Sequence, residues 1–311
     1  MRPDITRLDK VIITIATTGG LHGKEANPAL PEQPKEIVQA MKDCYDAGAS
    51  IAHIHARDKD GLTTADLRVY HEIVQGINDR CPGMITQVGN GIGVRYTRGH
   101  KFPGDGFTQD QRMALLDIDP RPDMLTVNAG TFHFQHRETE FLFDNSKAWN
   151  TRFITGCNER GIQNEFEVYD LSHIANILKL KQLGIVTGPM HFSMVLGIDG
   201  GIPATPQNLM AMVDALPEGS SWQVVCIGKH QMPLCTMVLA MGGNIRAGFE
   251  DNVYYSHGVL AVSNVQFVER AVRLARELGR EIASPEEARR MMEMPAWDRR
   301  AEVMRREKKA A

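Results

Sequence analysis

The segment PKEIVQAMKDCYDAGASIAHIHARD (34–58) holds the unit on which the fold is built. Residues 34–46 carry apolar positions at helical spacing, Ala47-Gly48 is a helix stop, and SIAHIH (50–55) reads as a strand. The same alternation extends in both directions. Apolar, β-branched runs recur at VIITIAT (11–17), MITQVG (84–89), MLTVNAG (124–130) and EFEVYD (165–170), then at MHFSMVLG (190–197), SWQVVCIG (221–228) and NIRAGFED (244–251). Helical stretches separate most of them, among them LSHIANILKLKQLG (171–184), which closes on Leu-Gly. Eight strands alternating with helices in a chain of 311 residues predict a single α/β domain over 1–311, a (β/α)8 TIM barrel with C-terminal helices from about residue 257. An open doubly wound sheet is the competing architecture, but no G-x-G-x-x-G follows the first strand.

Composition sets the other bounds. With 42% hydrophobic residues the chain can fill one large core. A formal charge of −3 with interleaved signs leaves no basic stripe, so nucleic acid is not an expected partner. The five cysteines (Cys44, Cys81, Cys157, Cys226, Cys235) lack C-x-x-C spacing and read as reduced thiols. The apolar run at 11–17 is too short to span a bilayer, follows Asp9 and Lys10, and lacks a small-residue cleavage signature. It is therefore taken as the first strand, with a cytoplasmic location and no membrane partner expected.

The chemistry concentrates at strand ends, where active sites of such barrels lie. His53 and His55 are two residues apart on a strand and so face the same side. They form half of a divalent metal site, or else a pair of structural histidines. The missing half would be a carboxylate or a third histidine from elsewhere; one carboxylate from across the barrel, where Glu250 and Asp251 end the eighth strand, would give three protein ligands and leave positions open for water or substrate. Asp251 cannot share Glu250's side of an ideal strand, but a turn immediately after residue 250 would return it to the mouth, free to act as a base. Arg246, four residues before Glu250, shares its strand face and must meet an anion there, from substrate or protein. Asn128 ends the fourth strand and Glu167 lies within the fifth.

The motifs TTGG (17–20), NPALP (27–31), AHIHARD (52–58), NAGT (128–131), EFEVYD (165–170), VLGIDGG (195–201) and IRAGFEDNVYY (245–255) together resemble those of the β-keto acid cleavage enzymes. The resemblance runs from about residue 10 to residue 292. It implies a zinc-dependent (β/α)8 barrel, usually a homotetramer. The implied activity is a transferase reaction of a β-keto acid with acetyl-CoA that yields acetoacetate and a new acyl-CoA. By motif position the family's Zn(II) ligands fall on His53, His55 and Glu250, its general base on Asp251, the arginine activating that base on Arg246, and a neighbouring glutamate on Glu167. Contacts to the substrate carboxylate fall on Thr126 and Asn128.

The departures fall on specificity. Leu21 stands where the aminohexanoate-cleaving members have a glutamate that meets an amino group, and Gly89 and Asn90 stand where they have Ser-Thr. An ammonium tail is therefore not expected. An apolar tail fits, as does an anionic one met by His22, Arg95 or Arg98, unless those basic residues hold CoA phosphates or are simply solvated. A metal-dependent amide or ester hydrolase on the same barrel is the rival reading. It would place the His-x-His pair on the first strand and add histidines at the ends of the fifth and sixth.

Overall fold

The computed structural model describes residues 9–92, 107–136 and 139–296, with the side chains of 135–141 left out of the description. All eight expected segments form strands: β1 (Ile13–Ala16), β2 (Ile51–Ile54), β3 (Ile85–Val88), β4 (Met124–Asn128), β5 (Gln163–Val168), β6 (His191–Leu196), β7 (Ser221–Cys226) and β8 (Asn244–Ala247). Each pairs in parallel with its neighbours in sequence, and β8 pairs with β1, closing the barrel. The chain is thus a (β/α)8 barrel.

Helices return the chain between strands. α1 (Pro34–Asp46) starts with proline in its first turn and buries Ile37, Val38, Met41 and Cys44, one stripe at helical spacing. At its start the Glu36 carboxylate accepts from the backbone N–H of Gln33 at 3.1 Å. Gly48 then takes φ +115°, which a side chain would resist, and lets β2 begin. Strand residues of opposite parity part company here. Ala52 and Ile54 of β2 join the large core between barrel and helices, while Ile51 joins an inner cluster with Ile12, Ile85 and Met124. Met292 and Met294, just beyond the helix Pro285–Met291, complete that cluster and plug the floor of the barrel. Burying each such side chain contributes roughly 1.5–3 kcal/mol, so the floor is a stable base for polar residues placed above it.

Two antiparallel hairpins decorate the upper rim: Phe132–His136 with Thr139–Phe143 after β4, and Tyr254–Ser256 with Val259–Leu260 after β8. The second occupies the region near residue 257 where the C-terminal helices were expected to start; the helix Val265–Glu277 follows it. All five cysteines are buried and unpaired. Among the described residues, no helix is long and apolar enough to cross a membrane.

Candidate active site

His53 lies inside β2 and His55 one residue beyond its end, and both rings face the barrel mouth. Gln87 of β3 is in register with His53, and its side-chain oxygen accepts from His53 Nδ1 at 2.7 Å. An amide oxygen can only accept, so Nδ1 carries the proton and Nε2 presents a lone pair. That Nε2 lies 3.6 Å from Glu250 Oε1, and His55 Nε2 lies 3.5 Å from the same oxygen. One ligand atom from each of the three residues falls within 4.8 Å of the others. Two neighbouring glycines make this convergence possible. A Cβ on Gly19 would sit 2.2 Å from Glu250 Cγ, and one on Gly89 would sit 2.4 Å from His55 Nε2.

Glu250 and Asp251 reach the mouth by a different route from the expected one. β8 ends at Ala247, and the chain turns at Gly248, where φ is +134° and a Cβ would meet the Ala16 carbonyl oxygen at 2.2 Å. The Asp251 N–H closes that turn on Gly248 O at 3.2 Å. The turn thus begins before residue 250, and Arg246 meets Glu250 across it rather than along one strand face. Arg246 donates from Nε and Nη2 to the two Asp251 oxygens at 2.9 and 2.8 Å, from Nη2 to Glu250 Oε1 at 2.6 Å, and from Nη1 to Glu167 Oε1 at 3.3 Å.

Three carboxylates therefore converge on one buried guanidinium, a formal excess of two negative charges. Burying uncompensated charge is costly. The Glu250 Oε2, His53 Nε2 and His55 Nδ1 atoms are also buried without hydrogen-bond partners. Excess negative charge and unpartnered ring and carboxylate atoms fit a divalent cation held by His53, His55 and Glu250. Burial works to raise the Glu250 carboxyl, but Arg246 and then the two histidines bring it well below the ordinary carboxylate range. Asp251 goes the other way: burial, opposed by Arg246 and reinforced by Glu250, pushes it up to about 6.

The substrate side of the mouth is tied together by a second network. Thr126 Oγ1 accepts from the Asn90 N–H at 3.0 Å, Asn128 Nδ2 donates to Asn90 Oδ1 at 2.7 Å, and the Tyr169 hydroxyl lies 2.7 Å from Asn128 Oδ1 and 3.2 Å from Glu167 Oε2. Leu21, Gly89, Thr126 and Asn128 all line the cavity that also holds Glu250 and Asp251, while Asn90 stands behind it as a brace. Arg95 and Arg98 lie outside the described residues. Gln87, Tyr169 and Arg112 join the site without having been expected there from the sequence. Arg112 is buried, lies over the rings of Phe143 and Trp149, and donates to Asn90 O and Oδ1 at 3.2 and 3.1 Å. A signal existed for Gln87, a polar residue between Ile85 and Gly89 on the inward parity of a strand. Arg57 of AHIHARD is likewise spent on structure, donating to Thr18 Oγ1 and Gly19 O at 3.1 and 2.6 Å and so holding the loop after β1. His191 is buried beside Ser221, its Nδ1 3.0 Å from the hydroxyl, and burial lowers it to about 4. It opens β6 at the barrel floor, far from where a hydrolase would need it.

Comparison with known proteins identifies the family. The family profile described as beta-keto acid cleavage enzyme matches residues 10–294. A 3-keto-5-aminohexanoate cleavage enzyme of Fusobacterium nucleatum is 38% identical over 287 residues, covering 92% of this chain and 99% of its own. A 3-oxoadipate:acetyl-CoA acetyltransferase of Cupriavidus necator is 29% identical over 290 residues, covering 92% of this chain and 96% of its own. Among solved structures, that titled apo structure of ObcA superimposes with a TM-score of 0.70 at 18% identity, over 86% of this chain and 66% of that one, a likeness of fold. This chain spans slightly under two thirds of that solved chain. With the profile covering nearly all of it, the chain belongs to the β-keto acid cleavage enzymes, catalysts of carbon–carbon cleavage with acyl transfer.

Proposed function

We propose that this enzyme is zinc-dependent and exchanges acyl groups between a β-keto acid and acetyl-CoA, with Asp251 as the general base. The observation that carries this reading is the buried Arg246 fork, which holds Asp251 beside the converging His53, His55 and Glu250. A divalent ion on those three residues supplies Lewis acidity that favours enolate charge. Asp251 accepts a proton from C2 of the keto acid. The carbanion attacks the acetyl carbonyl of acetyl-CoA, a carbon–carbon bond forms, and the CoA thiolate leaves. That thiolate then attacks the original keto carbon, the bond from that carbon to C2 breaks, and a new acyl-CoA departs. Asp251 returns its proton to C2, giving acetoacetate. Thr126 and Asn128 orient the substrate carboxylate, and Glu167 with Arg246 fixes the base. The related proteins are named for acetyl-CoA transfer, which supports acetyl-CoA as co-substrate. Their named substrates differ, and Leu21 in this cavity supports a tail without an amino group.

A homotetramer, a cytoplasmic location and one domain over the whole chain belong to the same reading. The hydrolase alternative lacks its histidines. β5 runs into Tyr169, whose hydroxyl serves Asn128 and Glu167, and His191 sits at the floor. The purified enzyme should carry about one zinc per chain, and His53→Ala, His55→Ala and Glu250→Ala should each lose metal and turnover together. Full zinc occupancy in the double histidine variant contradicts the ligand assignment, and substrate consumption without acetyl-CoA contradicts the reaction.

A further inference from the structure

The cavity has two chemically distinct halves. β2, β5 and β8 with its turn bring His55, Glu167, Arg246, Glu250 and Asp251 to one side. On the inward parity of β6 and β7, Val195 and Val225 take the places where polar ends would continue that ring. They are buried in one apolar cluster with Phe132, Phe134 and Tyr169, against which Leu21, Ile198 and Ile227 pack. Phe132 stacks on Tyr169 at a centroid distance of 4.3 Å, and Phe143 meets Phe132 edge-on at 5.6 Å. The hairpin after β4 thus joins its aromatic rings to two valines in one apolar wall of a cavity of about 510 Å³.

The polar groups near this wall are engaged elsewhere. The Tyr169 hydroxyl serves Asn128 and Glu167. Arg112 spends its N–H groups on Asn90, on Asp144 O at 3.0 Å and on Asn145 Oδ1. The cavity does contain one carboxylate that the sequence reading did not weigh, Asp144. It stands exposed at the rim, accepting from Gln109 Nε2 at 2.9 Å, the Ser146 N–H at 3.1 Å and Thr131 Oγ1 at 3.3 Å. Among the described residues lining the cavity, Leu21, Phe132, Phe134, Val195, Val225, Ile198 and Ile227 form one continuous apolar stretch.

We infer that this half of the cavity selects a β-keto acid with a neutral, apolar aliphatic tail, over the amino-bearing and dicarboxylic acids named for its relatives. This rests on the reaction proposed above and adds the substrate class. A charged tail against this wall would lose its hydration with no charged partner among the described apolar residues that form it, whereas each added methylene gains contact area.

Four acids sharing a six-carbon backbone separate the possibilities: 3-oxohexanoate, 5-amino-3-oxohexanoate, 3-oxoadipate and 3,5-dioxohexanoate. They are offered to the zinc-loaded enzyme with saturating acetyl-CoA, and new acyl-CoA is read by mass. The expected kcat/KM for 3-oxohexanoate exceeds that for either charged acid by about a hundredfold or more, and 3-oxooctanoate does better still by about tenfold. Leu21 and Ile198 are half-buried loop residues whose substitution leaves the barrel intact. Leu21→Glu should move preference towards the amino acid, and Ile198→Lys towards 3-oxoadipate, each by at least about tenfold. A charged acid used by the wild type as well as the neutral one overturns this inference and leaves the reaction standing. No acyl-CoA from any of the acids overturns the reaction and the inference with it.

Discussion

Asp251 sits under opposing demands. It must be basic enough to take a proton from carbon, yet it is buried against a guanidinium that favours its ionised form. Burial dominates and lifts it to about 6, which leaves it mostly ionised near neutrality and a better base than an exposed aspartate. Asp251→Asn keeps the shape and replaces the basic carboxylate with an amide that cannot take up the proton. It should retain the metal and lower kcat about a thousandfold with little change in KM. Steady-state kinetics alongside metal analysis checks this, and a kcat within a few-fold of wild type assigns the proton to another group. At this scale the sequence was informative where chemistry depends on residue type, as in His53, His55, Glu250 and Arg246. It was silent on Gln87, Tyr169 and Arg112, whose parts depend on which neighbour each side chain meets across the barrel.

Among elements, the loop after β1 and the turn after β8 decide whether the site assembles. Arg57 ties down the first through Thr18 and Gly19, and Asn264 pins the second by accepting from the Phe249 N–H at 2.9 Å while donating to Thr17 O at 3.3 Å. The two segments meet where Gly19 leaves room for the Glu250 side chain. Gly19→Ala places a Cβ 2.2 Å from Glu250 Cγ, so Glu250 must withdraw. Zinc affinity should fall by about 10–100-fold or more with the thermal unfolding of the metal-free protein unchanged within a few degrees. Competition with a chelator measures the first and a melting curve the second; wild-type affinity would mean that Glu250 is not a ligand. Strand periodicity foretold β8, but ran it through Asp251 because FED continues the pattern without a break. What ends the strand is the positive φ at Gly248 and the nearby Ala16 carbonyl, a tertiary contact no local pattern encodes.

Over the whole molecule, the barrel separates stability from chemistry along its axis. Ile12, Ile51, Ile85 and Met124 seal the floor, and the ionisable residues of the candidate site stand above it, where strand ends and loops meet. The alternation of strand and helix made that architecture legible, because closing eight parallel strands leaves few other arrangements. The aromatic hairpin after β4 was not legible in the same way, although Phe132 and Phe134 alternate as strand residues do, since its value lies in the valines it faces. In the proposed reaction C2 of the keto acid captures the acetyl group while the remaining acyl fragment passes to CoA. The direct measurement supplies acetyl-CoA labelled with carbon-13 at the acetyl carbonyl together with unlabelled 3-oxohexanoate, and follows both products by mass and NMR. The label should appear at the keto carbon of acetoacetate, in acetyl-CoA-dependent amounts, with unlabelled butanoyl-CoA formed one for one. Labelled acetate with free CoA, or cleavage of the keto acid that leaves acetyl-CoA untouched, would contradict it.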